Sequence, residues 1–210
     1  MFVRQALLAR MVEMARGARS QEGWAMTMLY VATYAFMLGL PSEALPIAVN
    51  KVAPGHVGQQ AIMTLEGDEV VLRLERRKNW KQGSVIRRSC WCCTCKQTCP
   101  VHTVWKFMSG FPDGAQPFVA VKYSDALLTL RASMAILGEK GHSRFGTQDL
   151  RRGHAQDLKA SGASDEVIHK AGQWRGRRGQ QPYMDHPAND GELVARAHAN
   201  MEVHRASSMD

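Results

Sequence analysis

No long apolar run occurs anywhere in the 210 residues. Nothing approaches the roughly 18 to 20 uninterrupted apolar residues that a membrane span needs, and the nearest candidate, residues 24–45, is broken by Gly39, Pro41 and Glu43. That segment reads as a buried helix. The first residues carry Arg4, Arg10, Arg16 and Arg19 without a continuous apolar core and a small-residue cleavage site, a poor match to a secretory leader. An intracellular protein is expected, nuclear if the host is eukaryotic, with no membrane partner. Cysteine is missing from residues 1–89 and 100–210; all five fall between Cys90 and Cys99. An odd, clustered set argues against a disulfide framework and leaves reduced thiols or a metal. Arginine is absent between Arg19 and Arg73, and neither an internal repeat nor a low-complexity stretch is present.

What is present is a basic, globular composition: 45% hydrophobic and 22% charged residues, a formal net charge of +8 and a pI near 9.5. Lys and Arg clusters gain affinity for polyanions by releasing counterions from phosphates. The cations are unevenly placed: one block is Arg76, Arg77, Lys78, Lys81, Arg87 and Arg88, and another is Arg151, Arg152, Arg175, Arg177 and Arg178. A solvated basic face is the alternative reading of such blocks.

Apolar spacing predicts helices over residues 1–16, 24–38, 101–108, 124–137, 148–161, 165–172 and about 190–204, with a short one opened by Pro41-Ser42-Glu43. Residues 62–65 and 70–74 around Glu66-Gly67-Asp68 read as a hairpin, and a second turn at Lys81-Gln82-Gly83 leads into a strand at 84–88. The expectation is an α+β, mainly helical domain over residues 1–205 with a small three-stranded antiparallel sheet and a tail at 206–210. Residues 174–187 read as a loop or short helix.

Residues 147–185 form the most informative segment. Gln148-Asp149-Leu150-Arg151, then Gly172-Gln173-Trp174, then Tyr183 resembles the second conserved box of tyrosine recombinases (the phage-integrase family), where H-x-x-R opens a helix and is followed by Gly-x-His/Trp and Tyr. Trp174 lies 23 residues after Arg151 and Tyr183 lies 32 after it, the separations expected for that family. A helical hairpin over 148–172 would return the chain to its start and bring Trp174 beside Arg151. The resemblance implies DNA strand cleavage and rejoining through a 3′-phosphotyrosyl link, with no cofactor for catalysis. Tyr183 would be the nucleophile, Arg151 and Trp174 would hold the phosphate, and Lys78, with Lys81 close behind, would protonate the leaving 5′-oxygen. Arg77, Lys81, Arg152, Arg175 and Arg177 would contact double-stranded DNA, on which a homo-oligomer would assemble.

Two positions depart from the family pattern. Its first arginine precedes Ser-Glu, but Leu38-Gly39-Leu40-Pro41-Ser42-Glu43 has Gly39 or Leu40 there, and Gln148 replaces the histidine. His154, one turn beyond Arg151, reads either as a partial substitute or as a structural histidine. The resemblance begins near the start of the sequence, so the family's N-terminal helical DNA-binding domain is expected to be missing from it, as in a fragment, a truncated gene model or a decayed mobile-element copy. An inert DNA-binding remnant is therefore the alternative function.

In the insertion at 89–103, Cys90, Cys92, Cys99 and His102 have donor types suited to a Cys3His structural zinc site; ordinary reduced thiols are the alternative. The Cys-Trp-Cys…Cys-Pro-Val-His run is similar to one in recombinase-like proteins of eukaryotic retroelements of the DIRS and Crypton type.

Overall fold

Helix α2 (Gln21–Ala35) buries more residues than any other described helix. Ser20 caps it, its hydroxyl accepting from the Gly23 amide at 3.1 Å. Every residue from Thr27 to Leu38 is buried, as an all-round apolar helix must be. Its two threonines return their hydroxyls to the helix's own carbonyls, Thr27 to Gly23 and Thr33 to Leu29. The helix ends where Met37 takes a left-handed φ of 52° and the Leu38 amide reaches back to the Thr33 carbonyl at 2.9 Å. This reversal throws the chain into a wide π-type turn, Leu40–Ala44, with Pro41 near its start.

The computed structural model describes residues 1–51, 61–75 and 83–173, and over these the fold is α+β. Helix α1 (Gln5–Ala18) contributes Leu8, Met11, Val12 and Ala15 to the core. The sheet has four strands in the order β1-β2-β3-β4: β1 (Ile47–Val49), β2 (Ala61–Glu66), β3 (Glu69–Leu74) and β4 (Ser84–Arg88). The three-stranded antiparallel sheet expected from sequence is thus incomplete. The added strand β1 pairs parallel with β2, Ile47 opposite Ala61, so the sheet is mixed. Its three residues are all buried and apolar, too few and too uniform to show alternation, and a parallel pair has no hairpin turn to announce it. The β2–β3 hairpin lies where expected. Gly67, at the first loop position, has a φ of 62°, which side chains resist and tight hairpin turns require.

After the sheet come a short turn of helix α3 (Cys92–Cys95), a 3-10 turn (Lys96–Thr98), a π-type turn (Pro100–Trp105) and α4 (Lys106–Met108). Three longer helices follow: α5 (Tyr123–Ile136), α6 (Gln148–Ala160) and α7 (Asp165–Gly172). The expected helix at 190–204, the loop at 174–187 and the tail lie outside the described residues. Among the described residues no helix is long and apolar enough to cross a membrane.

Candidate functional site

Helix α6 begins at Gln148, and Arg151 follows one turn later on the same face. Gln148 is exposed and Arg151 half-buried. Asp149 stays buried and accepts from the Gly146 amide at 2.9 Å, which fixes the helix start, and its carboxylate stands in the first turn of the helix. Helix α7, capped by Ser164 on the Val167 amide, runs back beside α6. It brings the Gly172 carbonyl to 2.7 Å from Arg151 Nη2. The end of α7 at Gly172 therefore lies against Arg151.

Two further side chains pin this exit. Gln173 takes a left-handed φ of 48° and donates its side-chain amide to the Val85 carbonyl of β4 at 3.0 Å. Arg88, also on β4, is completely buried. Its guanidinium donates to the carbonyls of Ala171 at 2.9 Å, Ala35 at 2.8 Å and Arg87 at 2.8 Å, and lies over the Phe36 ring at 5.9 Å. It ties the last turn of α2 to the last turn of α7. Sequence reasoning grouped Arg88 with polyanion-facing cations, because a buried arginine inside a basic block carries no local mark of its burial. Arg87 is likewise engaged within the protein, 2.9 Å from Glu66 and 3.7 Å from Glu69, while Arg73 shares Glu66. Burial alone would raise the Glu66 carboxyl, but the two guanidinium groups outweigh it and hold it below its ordinary value.

Arg152 is well exposed and lies 3.6 Å from Asp149. His154 is a structural histidine: fully buried, 2.7 Å from the Tyr34 carbonyl through Nδ1 and stacked on the Tyr34 ring at 4.6 Å. Tyr34 in turn donates to Asp157, which also accepts from Arg4 Nε and the Gln5 amide, each at 2.7 Å. Burial, and after it the Asp157 carboxylate, push the Tyr34 phenol well above its ordinary value. Lys78, Arg77, Lys81, Trp174, Arg175, Arg177 and Tyr183 lie outside the described residues.

The Ser-Glu turn closes on itself, Glu43 accepting from the Gly39 amide at 2.7 Å. Leu40 is buried in the core, so a guanidinium there would lose its water. At Gly39 a Cβ would meet only ordinary contacts, Ser42 Oγ at 3.5 Å and Glu43 Oε2 at 3.6 Å.

The four expected metal ligands converge. Cys90, Cys92, Cys99 and His102 place their donor atoms within 4.8 Å of one another. Three sulfurs surround one imidazole nitrogen, His102 Nδ1, at 3.2, 3.1 and 3.6 Å, and the Cys90 and Cys99 sulfurs are 3.7 Å apart. One ring nitrogen has a single hydrogen or lone pair and cannot bond three thiols. Donors at about 2.3 Å (sulfur) and 2.0 Å (nitrogen) from a tetrahedral ion stand roughly 3.5 to 3.8 Å from one another, close to this spacing. Two amides point at the sulfurs, Cys92 N to Cys90 and His102 N to Cys99, each at 3.4 Å, the second as the cap of the Pro100 turn. Such N–H···S bonds favour thiolate, the form that binds metal. Burial, with the adjoining thiols, pushes the Cys92 thiol up, and that crowding is what a cation would relieve. Cys93 is exposed and Cys95 contacts Gln97 at 3.5 Å; neither joins the cluster. The cluster can therefore bind a metal ion.

No family model, curated protein or solved structure matches this chain.

Proposed function

We propose that this chain cleaves and rejoins double-stranded DNA in recombination or integration through a 3′-phosphotyrosyl intermediate, and that Cys90, Cys92, Cys99 and His102 hold a structural zinc ion. The Tyr183 phenol gives up its proton to water as its oxygen attacks the scissile phosphorus, the bond to the 5′-oxygen breaks, and Lys78 or Lys81 gives that oxygen a proton that the lysine regains from water. Arg151 offsets the charge on the non-bridging oxygens, and the Trp174 indole N–H and the Gln148 side chain donate hydrogen bonds to them. Zinc, when bound, supplies a cross-link within the 90–102 loop and takes no part in the chemistry.

The observation that supports this reading is the 2.7 Å contact between Arg151 and the Gly172 carbonyl, which brings Arg151 and the Gly172 end of the second motif segment together. The inert DNA-binding reading draws on different facts: a buried leucine and a glycine occupy the positions of the family's first arginine, and Gln148 cannot carry a proton. Loss of one guanidinium from such a clamp costs about 3 kcal/mol, or on the order of 10² to 10³ in rate, so turnover is slow. The test is to incubate the protein with nicked random-sequence duplex and look for a denaturant-resistant adduct, with Tyr183→Phe as control. An adduct lost in the control supports cleavage; salt-sensitive binding without an adduct supports the inert reading.

A further inference from the structure

Two separate contacts tie the ligand loop to helix α6. Trp91, between ligands Cys90 and Cys92, is fully buried and meets His154 edge-on, ring centroids 5.7 Å apart. Thr98, directly before ligand Cys99, is buried and accepts from Gln5 Nε2 at 3.1 Å, while the amide of that same Gln5 donates to Asp157. His154 and Asp157 sit one turn apart on α6, on the turns after Arg151. Tyr34 joins them, stacking on the first and donating to the second.

From this arrangement we infer that the metal centre is a brace for the arginine-bearing helix: metal held by Cys90, Cys92, Cys99 and His102 fixes Trp91 and Thr98, and through them the stretch of α6 that positions Arg151. The inference rests on the zinc reading above. The loop is built of single turns, four residues in α3, three in the 3-10 turn and the start of the π-type turn at Pro100. Without a central ion its shape depends on a few turn hydrogen bonds, whereas a ligated ion sets four of its side chains at once. Ligand binding to the folded loop therefore stabilises whatever packs on that loop. Helix α5 is the internal reference. It anchors elsewhere, through Tyr30 to the Ala126 carbonyl at 2.6 Å and through Arg131 to the Phe145 carbonyl at 2.9 Å.

The test compares amide hydrogen exchange of the full chain, reduced throughout, with one equivalent of Zn²⁺ and after chelation, metal content being measured on the same samples. Zinc is expected to slow exchange over residues 150–158 by about tenfold while changing α5 by less than about twofold. Trp91→Leu keeps all four ligands; it should still bind one zinc, with most of the slowing gone. Thr98→Val cuts the second tie and should lose part of it. Bound zinc with unchanged α6 exchange overturns the brace and leaves the zinc reading standing. Equal loosening of α5 and α6 on chelation also overturns it, because the ion then holds the whole fold. Failure to bind zinc overturns both.

Discussion

Gly153 lies inside α6, where replacing glycine by alanine ordinarily stabilises a helix by about 1 kcal/mol. Here the sign reverses. A Cβ at residue 153 would stand 1.9 Å from the Val3 carbonyl oxygen and 2.5 Å from its carbon, far inside van der Waals contact and against backbone that no rotamer change can move. The N-terminal segment must lift. That exposes part of Val3, which is fully buried and contributes about 1.5 to 2 kcal/mol by burial, and it weakens the Val3 amide bond to the Asp149 carbonyl at 2.9 Å, about 1 kcal/mol. Against the propensity gain, Gly153→Ala comes out about 1 to 2 kcal/mol less stable, a fall in Tm of roughly 2 to 8 °C for a chain of this size. Circular dichroism during thermal and urea unfolding measures it. Deleting residues 1–3 removes the clash, so in that background Gly153→Ala should become neutral or stabilising, a non-additivity expected only of groups in contact. A variant as stable as the parent, or additivity with the deletion, would refute the packing of residue 3 on α6.

Arg88→Met leaves the carbonyls of Ala35 and Ala171 buried without that donor and should cost about 3 kcal/mol, read as a lowered urea midpoint, with Arg88→Lys recovering only part. Glu66 has its folded value below the ordinary 4.5, so the stability it contributes is fully present above that value and is lost as pH falls through the lower, folded one. Glu66→Gln should flatten this acid limb and, because the group is partly exposed, lower neutral-pH stability by under about 1 kcal/mol; an unchanged pH profile would contradict the Arg73–Glu66–Arg87 contacts. Gly39→Arg should fold normally, since its Cβ meets only ordinary contacts, and, on the proposed function, should raise adduct formation by on the order of 10²; no gain would count against that proposal.

The parts of this structure legible in the sequence are those written in local spacing. Helix α7 begins and ends at the expected residues because Ser164 caps it and an acidic first turn precedes its apolar face. The ligand cluster assembles because Cys-x-Cys and Cys-x-x-His pairs need only a turn each to point inward. Non-local facts were hidden. Strand β1 owes its existence to a parallel partner more than ten residues away. The fully buried state of Arg88 depends on carbonyls from α2 and α7, far apart in the chain, so composition counted it as a surface cation. The contact between Gly153 and Val3 likewise joins residues that no periodicity links.

The measurement that bears most directly on the proposed function is mass-spectrometric mapping of the protein after incubation with a nicked duplex and digestion of the DNA. The account predicts a residual nucleotide on the peptide containing Tyr183, absent from Tyr183→Phe and strongly reduced in Arg151→Ala. A nucleotide on any other residue, or none on the chain while it binds the same DNA, would contradict it.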